Sequence, residues 1–173
     1  MVFIITLTSI IQALATSLGV GSSTLAIVNF FVAIADGKIE PDERRMMGVV
    51  YIVLRIAMLL ILATTLALFM HTYVAYGVPA ITTFHIAQLL VLAVLFINAL
   101  LMTIHLMPST FGPALQAGSW YTLGVLAALS GLDLVDFTLL QFSLGYLTAL
   151  ISAIGLVNGV MALQVARRRK QVQ

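Results

Sequence analysis

From Met46 to Leu132 the chain carries a single charged side chain, Arg55, and before Asp36 it carries none. Only 8% of its 173 residues are charged and 62% are hydrophobic, whereas a soluble domain is about one-quarter charged. So little charge cannot cover a water-facing surface. Lipid is therefore the solvent for most of the surface. A helix crosses the hydrocarbon with about 20 mostly apolar residues, and this chain has room for several crossings. The expected fold is all-α, a polytopic transmembrane helical bundle forming one domain over residues 1–173.

Five crossings are expected, at about 2–35, 46–70, 81–107, 114–131 and 137–165. The first run is longer than a bilayer requires. It forms either one long helix or two short ones broken at Gly19-Val20-Gly21-Ser22-Ser23. The second case makes six helices. The Met1-Val2-Phe3-Ile4 start lacks the basic residues that open a cleavable signal peptide, so the first run is expected to stay as a helix. In the last run Gly145, Ala149 and Ala153 recur every four residues, and Gly155 and Gly159 follow. Small residues at this spacing allow close helix packing.

Half of the charge lies between Asp36 and Arg45. Gly37 suits the left-handed position after a helix C-terminus. Pro41 suits the first turn of the next helix, and Asp42 and Glu43 its positive end. A polar turn between two helices results. A calcium loop does not, because the Asp-x-Asp-x-Asp-Gly core is missing. Arg167-Arg168-Arg169-Lys170 forms a second basic cluster in the 166–173 tail. The basic tail is read as a topology anchor, with no nucleic-acid partner. Four crossings separate the two clusters, so both fall on one side, which the positive-inside rule makes the cytoplasm.

Several chemistries are excluded. There is no cysteine, and so no disulfide, iron–sulfur cluster or thiolate zinc site. No lysine lies in a crossing to form a Schiff base. HExxH, Walker and GxSxG motifs are absent. What remains are polar residues inside the crossings, which are costly there and so default to functional candidates. Asn29, Arg55, Asn98, His105, Trp120 and Asn158 all fall in the cytoplasmic half. Together they suggest a pocket in which Arg55 meets an anion, His105 titrates or binds a metal, and the asparagines orient a ligand. The competing reading is polar contacts between helices, with Arg55 reaching to the interface. On the outer side His71 and His85 form the one pair suited to haem b or copper, with Asp133 and Asp136 in a nearby loop.

Leu18-Gly-Val-Gly-Ser-Ser-Thr24, the charged turn 36–45, the span from His85 to Asn98, His105-Leu-Met-Pro108 and Ser119-Trp120-Tyr121 resemble a superfamily of small bacterial membrane proteins. It includes the copper-resistance D integral membrane proteins and the membrane-bound protoporphyrinogen oxidases. The resemblance implies a helical bundle in a bacterial inner membrane and an association with haem or copper. The oxidase pattern has a histidine in the first helix and a lysine at the start of the third. Here the first helix has no histidine, and His85 stands near the expected lysine.

The expected function is a non-enzymatic protein that binds or passes a small ligand (anion, haem or metal) through a cytoplasm-facing pocket. A haem- or copper-linked redox protein using His71 and His85 is the alternative. A structural subunit, packed against copies of itself or other membrane proteins, is the third reading.

Overall fold

The computed structural model describes residues 2–36, 40–108, 111–130 and 136–171. These residues are all-helical. They form α1 (Val2–Asp36), α2 (Pro41–Tyr76), a 3₁₀ turn at Val78–Ala80, α3 (Thr83–Thr103), α4 (Gly112–Leu129) and α5 (Leu139–Gln171). Four of the five α-helices, all but α4, are long and apolar enough to cross a membrane.

Helix α1 is continuous for 35 residues, which removes the six-helix alternative. The serine-rich stretch after the glycines is absorbed without a break. The hydroxyls of Ser23 and Thr24 both donate to the Val20 carbonyl, at 3.2 and 2.8 Å. Elsewhere in the bundle Ser and Thr satisfy themselves the same way, as Thr122 does on Gly118 at 2.8 Å.

Gly37 and Lys38 lie outside the described residues, so the turn expected there is described only from Glu40. The Glu40 N–H donates to the Glu43 carboxylate at 3.0 Å, and Pro41 opens α2 with Asp42 and Glu43 in the first turn. The helix start is therefore where the sequence places it.

Helix direction follows from the contacts. Gln12 of α1 reaches Thr65 of α2. Thr24 of α1 bonds Tyr121 of α4 at 2.7 Å, while Val20 lies against Gly124. Rising numbers in α1 thus meet falling numbers in α4. Tyr146 of α5 bonds Ser119 of α4 at 2.8 Å, and Leu150 lies on Gly118, again antiparallel. Gln164 near the end of α5 donates to the Phe31 carbonyl near the end of α1, so these two helices run parallel. Consequently α1, α3 and α5 run one way and α2 and α4 the other. The turn with exposed Arg44 and Arg45, the α3–α4 connection and the end of α5 share one end, the basic end. Helix α5 continues through the basic run Arg167–Lys170.

Helix α4 is the shortest α-helix, 18 residues or about 27 Å. It packs on α1, α3 and α5 and buries Ala114, Ala117, Gly118, Ser119, Trp120, Leu123 and Leu126. It still exposes Tyr121 and Val125 on its outward face. The core lies where Trp120 and Leu123 meet Ile61 of α2 and Leu92 and Leu95 of α3. At the end away from the arginines, Phe84, Phe137, Phe142 and Tyr146 form an aromatic ladder with centroids 6.2, 5.8 and 5.9 Å apart. It joins α3 to the start of α5.

Of the small residues of α5, Ala153 packs against Gly118 of α4, but the glycines do not serve the bundle as expected. A Cβ added at Gly145, Gly155 or Gly159 would meet nothing within 4 Å. Among its described side chains, Tyr146, Leu150 and Val157 are the buried ones. The tight approaches instead use Gly19, Gly112, Gly118 and Gly124.

Helix α3 stops at His105. Its φ is +59°, its N–H donates to the Met102 carbonyl at 3.2 Å, and the Leu106 N–H donates to Leu101 at 2.9 Å. This is a Schellman stop, whose left-handed residue is usually glycine. A side chain there costs about 1 kcal/mol. His105→Gly is expected to raise stability by about that amount, read as an increased midpoint in detergent unfolding, with ligand binding unchanged.

Candidate functional site

The pocket at the basic end occupies about 240 Å³ between α1, α2, α3 and α4. Arg55 is the one charged residue in its wall. Ser23, Tyr51, Thr103 and Gln116 add polar groups, and Leu54, Met58, Ala99, Met102 and Pro113 supply much of the apolar remainder. Arg55 is exposed and stands level with Thr103, the last residue of α3, and Pro113, in the first turn of α4. Its depth is therefore less than its place in the sequence suggests. The α1–α2 hairpin is longer than its neighbours, and α2 extends about 20 Å past Arg55 toward Pro41. The guanidinium reaches an open pocket mouth and needs no buried acid.

Of the residues singled out from sequence, only Arg55 lines this pocket. Asn98 stands behind its wall, 2% exposed. Its Nδ2 donates to the Gly112 carbonyl at 2.9 Å and to Gln116 Oε1 at 3.2 Å. Both partners are acceptors, which fixes the amide orientation. The second Asn98 atom, Oδ1, is buried without a protein partner. Asn98 thus braces the α3–α4 connection and sets Gln116, whose Nε2 lies 3.4 Å from Met58 Sδ. Asn29 lines no described pocket. Asn158 bonds the Ile154 carbonyl of its own helix at 2.9 Å. His105 is exposed at the helix stop. Trp120 is completely buried, seated on Gly19 away from the pocket. Ser23, Tyr51, Thr103 and Gln116 carried no signal as single residues, being common in apolar helices.

His71 and His85 have separate surroundings. The His71 ring sits edge-on to Tyr76, with centroids 6.3 Å apart. The His85 ring sits edge-on to Phe69 at 6.4 Å. His85 Nδ1 lies 3.3 Å from the Thr82 N–H, which donates to it, and 2.9 Å from Thr82 Oγ1. A ring nitrogen that accepts from a backbone N–H is unprotonated, so the neutral ring carries its proton on Nε2. His85 is then a helix-capping residue. Asp136 is exposed, and Asp133 lies outside the described residues. Among the described residues no three His, Cys, Asp or Glu side chains converge as metal ligands.

Comparison with protein-family models, with curated proteins and with solved structures finds no match to this chain.

Proposed function

We propose that this protein is an integral membrane protein that binds a small organic anion in the Arg55 pocket. The observation that carries this reading is the wall itself, which among the described residues holds one arginine, no acid, a few hydroxyl and amide groups, and a largely apolar remainder. Such a wall suits a carboxylate with a short hydrocarbon body. The carboxylate pairs with the guanidinium, and the body lies against Leu54, Met58 and Ala99. By the positive-inside rule the basic end faces the cytoplasm, and the pocket opens toward that side. A bacterial inner membrane fits the same orientation.

Titration of the detergent-purified protein with butyrate, hexanoate and inorganic phosphate tests the reading. Hexanoate is expected to bind more tightly than phosphate, because only hexanoate uses the apolar wall. A hydrogen bond to a charged group contributes about 1.5–3 kcal/mol. Arg55→Gln is therefore expected to weaken binding about 10- to 100-fold with little change in unfolding midpoint, since Arg55 is exposed. Equal affinity in wild type and Arg55→Gln would overturn it.

A further inference from the structure

A second cavity of about 480 Å³ opens at the end away from the arginines, between α1, α2, α3 and the end of α4. Its size falls within the roughly 300–1,000 Å³ common for small-molecule sites. Among the described residues no Asp, Glu, Lys or Arg lines it. Its polar wall is nonetheless built with care for geometry. Gln12 of α1 and Gln88 of α3 both donate through Nε2 to Thr65 Oγ1 of α2, at 2.9 and 3.3 Å. Three helices are thereby tied at one hydroxyl, and Thr65 is 4% exposed.

The hydrogen-bond inventory of this wall is lopsided. Thr16 and Ser9 donate their hydroxyl protons to Gln12 and Ile5 carbonyls, at 2.8 and 3.0 Å. Ser130 donates to Ala127 at 2.7 Å. Their oxygens are left as acceptors. The amide oxygens of Gln12 and Gln88 are acceptors too, and neither is among the buried atoms lacking a partner. Donors in the wall are few: the second N–H of each glutamine, the Thr65 hydroxyl and His85 Nε2. An ion would find no countercharge among the described residues of this wall, which is costly away from water. A neutral molecule rich in O–H or N–H groups meets no such cost and pairs with the acceptors.

We propose that this cavity is a binding site for a small uncharged solute bearing several hydroxyl or amide donors. It is distinct from the Arg55 pocket and does not depend on it. Equilibrium dialysis of the purified protein against labelled xylitol, and separately against labelled urea, tests it and tells a polyol from an amide. The expected result is saturable millimolar binding of one of the two, at least tenfold weaker in Gln88→Leu and unchanged in Arg55→Gln. The unfolding midpoint of Gln88→Leu serves as the check on folding, and Gln12→Leu gives a second variant on another helix. No saturable binding of either probe to the wild type, or wild-type affinity in both leucine variants, would overturn the assignment.

Discussion

Gly19→Ala is expected to destabilise the bundle by about 2–3 kcal/mol, near the upper range for overpacked cores. A Cβ at residue 19 would lie 2.2, 2.3 and 2.4 Å from Trp120 Cζ3, Cε3 and Cη2. No real contact is that short, so the indole must move. It has nowhere to go, because Trp120 is completely buried among Ile61, Leu92, Leu95 and Leu123. Alanine is the better helix former by about 1 kcal/mol, a gain that opposes the clash but is smaller than it. Trp120 is the sole tryptophan, so its emission reports on this contact alone. A red shift with a lowered midpoint is expected in Gly19→Ala. Trp120→Phe is also destabilising alone, yet the double variant should be more stable than the sum of the two losses predicts, because the smaller ring leaves room for the methyl. An unshifted emission maximum with a wild-type midpoint in Gly19→Ala would show that the ring does not rest on this glycine.

The same contact shows what could be read in advance. The apolar runs and the one charged turn were enough for five helices, their order and the α2 start, because lipid and helix ends impose strict rules on composition. The two cavities were less visible. In hindsight α1 does carry a signal: Ser9, Gln12, Thr16, Gly19 and Ser23 recur at three- and four-residue steps, which places them on one helix face. That face lines the cavity away from the arginines with Gln12 and Thr16 and the basic-end pocket with Ser23. Between the two, Gly19 meets Trp120. Weak polar residues at helical spacing thus marked the cavities better than the rarer Asn and His residues did. Asn158 satisfies its own helix, and His105 ends one. These outcomes depend on where a helix stops and which face turns inward, and neither is set by residue type alone.

Asn98→Asp is the other change with a large expected effect, a loss of about 3 kcal/mol or more at neutral pH. The substitution keeps the shape and reverses the chemistry. Asn98 Nδ2 donates to two oxygens, the Gly112 carbonyl and Gln116 Oε1, at 2.9 and 3.2 Å. A carboxylate in its place presents an acceptor to two acceptors at a site only 2% exposed. Each buried group left unpaired costs about 1–3 kcal/mol, and an ionised group there costs more. Asn98→Leu removes the same bonds without adding charge, so its midpoint should fall between wild type and Asn98→Asp. Acidification separates the two variants further. A protonated carboxyl can donate one bond, so the Asp variant regains part of its stability as pH falls, whereas the Leu variant gains nothing by this route. Unfolding midpoints at pH 8 and pH 5, measured beside hexanoate affinity, distinguish a brace from a ligand contact. A brace lowers the midpoint in the order wild type, Leu, Asp. A ligand contact would leave the midpoints together and change only the affinity, and that result would return Asn98 to the pocket.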